Sequence, residues 1–400
     1  MPFLKRRDAG VALRPAPLTD GKRRPAEPVT PADEGPPVRP PPPPRKRWPV
    51  VVASIIAVLM LAGAVAVSWL QSRDDEAVET TVPPIVVGDS RSALVVVAGE
   101  DGRATSIALF VSDGLDDHRL LVAPPALTMQ IPGYGDGNLS EALAIEDAEL
   151  VRLSLVNELG VRIDETVVLG PGDVSTLLDE AVRIDLPNPF IINSARGEVV
   201  SVGAGSDVFV PDTAETLLVS QGADSPLEWL QRQRAVWEAI ATQVSASPGP
   251  AAGLSPVLES VAEQLGETAV SMMPVDRVGV GISELLVVSR NSDLLNERIA
   301  FLALSESARP RIEILNATTF PGVSRPLAET LIEAGFRLIK TDNADQRTRR
   351  DTLIIAQGVA NQQAALDAQA LLAGGDVVVQ PSGSGVVDVS IIVGRDIANR

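Results

Sequence analysis

The sequence contains no cysteine and few residues suited to nucleophilic or metal chemistry. Its 400 residues include one histidine, one tyrosine and 3% aromatic residues. Without cysteine there is neither a disulfide nor a thiolate nucleophile. Because His118 is the single histidine, a multi-histidine metal cluster is excluded, and any Ser/His/Asp triad would have to use it. The abundance of Val, Leu, Ala and Ile predicts aliphatic cores.

Positive charge is also scarce outside the amino-terminal segment. The net charge is −18 for the whole chain, yet residues 1–47 carry +6, which leaves −24 for residues 48–400. A domain this acidic is not expected to bind nucleic acid by neutralising phosphates. Nor is it suited to lying flat on an anionic membrane surface.

One apolar run stands out, at residues 48–70, where 23 residues contain no charged side chain. A bilayer core needs roughly 20 apolar residues in a helix. Tryptophans at both ends suit the membrane interface, and Arg45–Arg47 precede the run while Asp74, Asp75 and Glu76 follow it. The pattern predicts a single membrane span, with the amino terminus in the cytoplasm and the rest of the chain outside.

The flanking segments have the composition of tails and linkers. Residues 1–47 hold 13 prolines, including Pro40–Pro44, so we predict a disordered, basic, proline-rich cytoplasmic tail. The proline run followed by Arg45–Arg47 suits an SH3-like groove, or serves simply as a solvated tail that fixes topology. Residues 71–90 are acidic and rich in turn-forming residues, which predicts a linker.

From residue 91 the pattern becomes that of an α/β domain. Ala93–Ala98 and Ser106–Val111 are apolar runs separated by a glycine-containing turn, which predicts a hairpin. Helical spacing of apolar residues extends over Ser140–Leu159 and Leu227–Val244. We assign this domain to residues 91–307.

Two groups of residues in this domain each leave two interpretations open. Trp229, Trp237, Met272 and Met273 would either line a lipid cavity or form ordinary core. Asp113, Asp116 and Asp117 would either bind a cation or lie in a solvated loop.

The end of the chain predicts a second, smaller domain at residues 311–396. Apolar alternation and helical spacing give the order β-α-β-β-α-β-β, after a linker around Ser305–Pro310. We therefore expect a two-layer α/β sandwich of ferredoxin-like type.

Residues 90–307 resemble the LytR/CpsA/Psr family, most clearly at Ile131–Gly133, Gly160–Asp164 and Arg232–Arg234. Members of that family are membrane-anchored enzymes of Gram-positive bacteria that move glycopolymers from a polyprenyl pyrophosphate carrier to peptidoglycan. The resemblance implies an extracytoplasmic α/β domain that faces the cell wall.

The charged residues that the resemblance would require are largely replaced. Family enzymes hold the pyrophosphate and its metal ion with arginines and aspartates, since that anion needs cations to offset its charge. Neutral residues stand at the corresponding positions of this sequence: Thr105, Pro124–Ala126, Asn138–Ser140 and Trp229. Arg103 and Arg232 remain as candidate residual ligand contacts. We predict a degenerate domain with no catalytic residue, no metal site and no cofactor.

The second domain resembles the LytR C-terminal domain, a module of cell-envelope proteins. The shared residues are Ile314–Thr318, Pro321–Val323, Ala334–Phe336 and Val387–Asp396, with Ala317 in place of the usual glycine. This resemblance implies a location in the envelope more than a reaction.

Three functions remain open at this stage. The first is a non-catalytic envelope protein that binds a wall polymer, a lipid-linked precursor or an assembly partner. The second is a phosphotransferase that attaches glycopolymers to peptidoglycan. The third is a signalling protein whose proline-rich tail reports ectodomain binding to a cytoplasmic partner. The convergence of several Arg and Asp side chains on one pocket within residues 90–307 would favour the second.

Overall fold

The computed structural model describes residues 91–113, 118–193, 199–247, 269–280, 283–289, 292, 295, 299–304, 308–381 and 385–398. The predicted tail, membrane helix and linker, at residues 1–47, 48–70 and 71–90, lie outside these ranges. Within them, no helix combines the length and the hydropathy that a membrane span requires.

The first domain is built on a mixed sheet with two parallel and two antiparallel strand pairings. In the part of the chain that the structure describes, its five strands lie in the order β11-β3-β2-β1-β6. Strand β2 is antiparallel to β1 and β3, whereas β6 and β11 run parallel to their neighbours. The predicted hairpin is thereby confirmed. The strands are β1 (Arg91–Ala98), β2 (Ala104–Ser112), β3 (His118–Ala123), β6 (Glu165–Leu169) and β11 (Ala269–Met272).

Apolar residues on both faces of this sheet are buried. In β1, Leu94 and Val96 belong to one hydrophobic cluster, while Val95 and Val97 belong to another. Successive strand side chains point to opposite faces, so a continuous apolar run such as β1 is typical of a sheet covered on both sides. The helices that cover it are α1 (Leu139–Ile145) and α2 (Ala148–Leu159) on one face, and α3 (Asp173–Thr176), α4 (Pro211–Val219) and α5 (Pro226–Ala246) on the other.

The helix predicted over Ser140–Leu159 is two helices. Helix α1 ends at Ile145, and the Asp147 carboxylate accepts a hydrogen bond from the Leu150 N–H at 3.1 Å to cap α2. An Asp at this position satisfies a backbone donor that the first turn leaves free, which favours a new start over continuation. Gly160 ends α2 in the left-handed conformation, with φ of 73°.

Short antiparallel pairs surround the sheet. They are β4 (Thr128–Ile131) with β5 (Gly135–Asn138), β7 (Val182–Leu186) with β10 (Gly205–Phe209), β8 (Phe190–Asn193) with β9 (Val199–Val202), and β12 (Val275–Val280) with β13 (Ser283–Val288). The β4–β5 hairpin packs against α2 and connects the carboxyl end of β3 to α1.

The C-terminal domain has the predicted element order and two layers. Among the described residues its strands lie in the order β15-β14-β18-β16-β17, and two helices pack on one face of the sheet. The elements are β14 (Arg311–Asn316), α6 (Ser324–Glu333), β15 (Arg337–Asn343), β16 (Leu353–Gln357), α7 (Gln362–Leu372), β17 (Asp376–Gln380), β18 (Val389–Val393) and α8 (Arg395–Ala398).

The ferredoxin-like prediction is wrong in its topology. In a split β-α-β unit another strand lies between the two strands that a helix connects. Here β14 and β15 are direct parallel neighbours, as are β16 and β17. The order of elements along the chain does not determine which strands pair, and so it was insufficient to distinguish the two arrangements.

The two domains share an extensive buried junction. The Asn157 side chain of α2 is 1% exposed and forms two hydrogen bonds with the backbone of Leu338, at 2.8 and 2.9 Å. Arg309, in the segment predicted as a linker, donates to the carbonyl oxygens of Asn157, Gly335 and Phe336. Asn157 thus satisfies backbone groups on the edge strand β15, which would otherwise lack partners.

Candidate functional site

The fold places the positions selected by the family resemblance at one edge of the first sheet. Strands β1, β3, β6 and β11 run in one direction, so their carboxyl ends meet where β2 begins. We call this region the carboxyl edge; it comprises the turn Gly99–Arg103, Thr105, the segment Pro124–Leu127 and the start of α1. Open α/β sheets commonly bind ligands at the carboxyl ends of their strands.

Two contacts bring these positions together. The Ser140 N–H donates to the Pro125 carbonyl oxygen at 2.9 Å, which joins the two segments where the family has charged triplets. The Arg103 guanidinium lies 3.8 Å from the Glu141 carboxylate. The segments Pro124–Ala126 and Asn138–Ser140 therefore lie side by side, with Arg103 next to the start of α1.

Thr105 stands where the family has an aspartate, and its contacts are internal. Its hydroxyl donates to the Val97 carbonyl oxygen at 3.1 Å, while its own carbonyl oxygen accepts from the Gln233 side chain at 2.7 Å. A threonine hydroxyl is neutral, so it cannot supply the anionic oxygen that a hard cation prefers. Thr105 therefore ties β2 to β1 and α5.

Arg103 is the exposed arginine of the carboxyl edge. Its side chain is 55% exposed and is paired loosely with Asp101, at 3.9 Å, as well as with Glu141. The turn that presents it is held by hydrogen bonds between Gly99 and Arg103 and between Gly102 and Gly99. Arg103 is accessible to an anionic group, with two carboxylates nearby that compete for it.

Arg232 is instead part of the core. Its side chain is 2% exposed, and it pairs with Asp224 at 2.9 Å. Its guanidinium also donates to the carbonyl oxygens of Leu217, Ser220 and Gln221 and stacks on the Phe190 ring, 3.6 Å from the centroid. Burial lowers the pKa of Arg232 to about 10, and Asp224 opposes that change. In this conformation Arg232 holds the loop between α4 and α5 rather than presenting donors to a ligand.

The tryptophans of α5 also belong to the core. Trp229 donates to the Leu218 carbonyl oxygen at 3.1 Å, and Trp237 donates to the Ser106 hydroxyl at 3.0 Å. Both rings are at least 93% buried, and Met273 is 1% exposed, whereas Met272 is 37% exposed. The packed-core alternative thus describes both tryptophans and Met273.

Two residues of this region were not among the site candidates selected from the sequence. Glu141 directly follows the segment Asn138–Ser140, and Gln233 directly follows Arg232. Gln233 is fully buried and donates to the carbonyl oxygens of Thr105 and Leu218, but its Oε1 atom has no hydrogen-bond partner. Both residues are next to selected positions in the sequence, which is the signal that could have identified them. Sequence adjacency does not show where a side chain points.

The remaining sequence candidates contribute little. His118 Nδ1 lies 2.9 Å from the Ser112 hydroxyl, and its ring stacks on Phe110. Of the predicted acidic cation group, Asp116 and Asp117 lie outside the described residues.

Another acidic group occurs at the domain junction, where Glu149, Glu329 and Glu333 approach one another within 4.8 Å. Arg152 contacts Glu149 at 2.5 Å and Glu333 at 2.6 Å, and Arg325 contacts Glu329 at 2.9 Å. Since arginines already offset these charges, we interpret the group as an ion-pair network that joins α2 to α6.

In the C-terminal domain, the residues of the family resemblance form turns. The Asn316 side-chain Oδ1 atom accepts from the Thr318 N–H and hydroxyl, while its Nδ2 atom donates to the Phe320 carbonyl oxygen. Asp396 accepts two hydrogen bonds from Thr352, at 2.7 and 2.9 Å. These residues determine local backbone geometry, and their contacts assign them no chemistry.

Comparison with known proteins supports the envelope relationship. Residues 309–396 match the family described as LytR cell envelope-related transcriptional attenuator. This match confirms the resemblance of the C-terminal domain. A search of the curated proteins finds no significant match.

Solved structures resemble about half of the chain. B. subtilis TagV is 14% identical, with 53% of this chain and 96% of that chain covered and a TM-score of 0.42. A LytR-Csp2A-Psr enzyme from Actinomyces oris is 19% identical, with 54% and 91% covered and a TM-score of 0.42. TagT bound to LIIa-WTA is 16% identical, with 53% and 91% covered and a TM-score of 0.43. At these scores the likeness assigns no function. Over residues 309–396, this chain is thus similar to the LytR cell envelope-related family.

Proposed function

We propose that this chain is a single-pass protein of the cell envelope, with its amino terminus in the cytoplasm and both domains outside the membrane. The apolar run at 48–70 and the basic residues before it support this topology, as does the LytR-type match of the last domain. The acidic character of residues 48–400 and the lack of cysteine suit an exported domain that relies on its hydrophobic cores.

We further propose that the exported part binds a wall glycopolymer or its lipid-linked precursor without catalysing transfer. The burial of Arg232 is the main observation that supports this proposal. A buried guanidinium that already binds Asp224 and three carbonyl oxygens is unsuited to stabilising a pyrophosphate. Thr105 adds support, since a neutral hydroxyl bonded to Val97 replaces the family's aspartate. Arg103 is then the residue of the carboxyl edge available to an anionic ligand.

Phosphotransfer is the alternative, and one observation favours it. Arg103 and Glu141 lie 3.8 Å apart at the carboxyl edge, so a cationic and an anionic side chain persist where the family performs its chemistry. Arg103 alone nevertheless offers a single positive charge for an anion that carries several.

Binding of a polyprenyl pyrophosphate-linked sugar to the purified full-length chain tests the proposal. We expect saturable binding that does not need Mg²⁺ and that Arg103→Gln weakens several-fold, because a charge-assisted contact is lost. Arg183→Gln, which removes an arginine of β7, serves as the control and should bind like the unmodified chain. If Arg103→Gln leaves the affinity unchanged, the carboxyl edge is not the binding site.

A further inference from the structure

A second candidate site lies between the two domains. A cavity of about 710 Å³ is bounded by the end of α2, the connecting segment 308–311, the start of β15 and the start of α7. Ligand pockets occur preferentially at domain interfaces. Of the residues that line this cavity, Asp388 also lies in a segment shared with the LytR C-terminal domain.

Arg337 is the residue of this cavity with unused hydrogen-bonding capacity. Its side chain is 26% exposed, and its Nη2 atom lies 3.9 Å from Glu158 Oε2, beyond hydrogen-bond distance. Its Nε atom is buried and has no hydrogen-bond partner. A guanidinium carries only donors, so the partly exposed end of this side chain would bind an acceptor, whereas the buried Nε atom is out of a ligand's reach.

The other two arginines of the wall have structural partners. Arg311 binds Asp388 through two hydrogen bonds, at 2.9 and 3.1 Å, and Arg309 donates to backbone carbonyl oxygens at the junction. These contacts hold the connecting segment in place and keep two further positive charges close to the cavity. With Glu158 and Asp388, the wall contains three arginines against two carboxylates.

The rest of the wall is largely apolar and includes Leu159, Val288 and Leu295. Arginine forks match the geometry of carboxylate and phosphate groups. We propose that this cavity binds an anionic group of a cell-wall component, a carboxylate or a phosphate, with Arg337 as its principal partner and with the apolar wall against the attached carbon skeleton. This inference rests on the proposed function only in taking the ligand to be a cell-wall component.

Two sources of such an anion can be separated with small probes. N-acetylmuramic acid is a wall sugar with a free carboxylate, and glycerol 3-phosphate carries a phosphate group on a glycerol skeleton. N-acetylglucosamine lacks the anionic group and is the neutral control. Saturable binding of either anion to the purified full-length chain, measured by calorimetry, identifies the source.

Three substitutions test the position of the site. Arg337→Gln should weaken binding of the anion about tenfold or more, because a charge-assisted hydrogen bond is lost. Glu158→Gln should strengthen it several-fold, because a carboxylate next to the anion is removed. Arg234→Gln, on the outer face of α5, should have no effect.

Opposite effects at residues 158 and 337 distinguish binding from damage to the junction, since damage would weaken binding in both variants. The unfolding midpoint of each variant is measured alongside. Failure of both anionic probes to bind, or binding equally strong for N-acetylglucosamine, would overturn the proposal. Equal losses in Arg337→Gln and Glu158→Gln would overturn it as well.

Discussion

In the C-terminal domain the residues of the family resemblance build turns and close contacts, whereas in the first domain they surround an edge from which most charges are missing. Gly394 shows the C-terminal pattern, because a Cβ atom there would lie 2.5 Å from the Asp351 carbonyl carbon. Asn316 and Asp396 form backbone-directed hydrogen bonds in the same domain. A match to such residues predicts a fold directly.

The first domain keeps its structural residues in a similar way. Gly133 has φ of 88°, and a Cβ atom there would lie 2.9 Å from Arg325 Cβ of the other domain. Gly160 caps α2, and Arg232 holds the α4–α5 loop. The difference between the domains teaches that residues with structural contacts can resemble a family without the charged residues of its site, so likeness in the scaffold does not imply chemistry.

The largest expected effect concerns Arg232, which we assign to the core. Arg232→Met should lower the free energy of unfolding of the first domain by about 3–5 kcal/mol, because Asp224 and three carbonyl oxygens lose their buried partner. Denaturant titration followed by tryptophan fluorescence measures this change through Trp229 and Trp237. Arg234→Met, on the same helix but 40% exposed, should change it by less than about 0.5 kcal/mol. Similar values for the two variants would contradict the assignment.

Substitution of Asn157 is expected to have the next largest effect on stability, because this side chain connects the two domains. Asn157→Ala should destabilise the chain by about 2–4 kcal/mol, since the Leu338 N–H and carbonyl oxygen are left buried without partners. Ser154→Ala on the same helix is the control, because that hydroxyl bonds only within its own helix, to Leu150. Hydrogen exchange at β15 measures the loss of stability. Unchanged protection of the Leu338 N–H would show that Asn157 does not stabilise the contact between the two domains.

Gly394 tests the C-terminal domain alone. Gly394→Ala should lower the free energy of unfolding by about 1–3 kcal/mol, because the added methyl group would clash with the backbone of Asp351 and Thr352. Gly203→Ala is the control, since a Cβ atom there meets nothing within 4 Å. Hydrogen exchange at β18 reports on the domain, and equal protection in the two variants would count against the close contact.

Asp388 should give the smallest effect, one that depends on pH. Hydrogen bonds from Arg311 hold the Asp388 pKa below its usual range, against the opposing influence of burial. The stabilisation is therefore present above about pH 4 and is lost as the pH falls through the lower pKa of the folded state. Asp388→Asn should flatten the decline of the unfolding midpoint between pH 5 and pH 2, as should Arg311→Gln. The double variant should add nothing further, and additive effects would argue against a direct pair.

The sequence predicts the strands and helices well where periodicity is strong. The β1–β2 hairpin, helix α5 and the element order of the C-terminal domain all follow from apolar spacing and turn residues. The break between α1 and α2 was missed because Asp147 interrupts a spacing that otherwise continues. The pairing of β14 with β15 was missed because apolar spacing carries no information on strand order.

At the candidate site, the sequence identifies the positions but not their surroundings. That Thr105 and Trp229 lack charge can be read from the chain directly. The burial of Arg232 depends on Phe190 and on the loop 217–224, which pack around it only in three dimensions. The cavity at Arg337 forms in the same way, where α2 meets the C-terminal domain. The sequence does not reveal that these two separate segments are in contact.

The claim that the first domain is non-catalytic is tested most directly by turnover. The full-length chain is mixed with a polyprenyl pyrophosphate-linked sugar, a peptidoglycan acceptor and Mg²⁺ or Mn²⁺, and release of the carrier phosphate is followed over time. We predict binding of the carrier-linked sugar with no release above the rate without protein. Metal-dependent release that disappears in Arg103→Gln but persists in Arg183→Gln would contradict this account and establish the chain as a phosphotransferase.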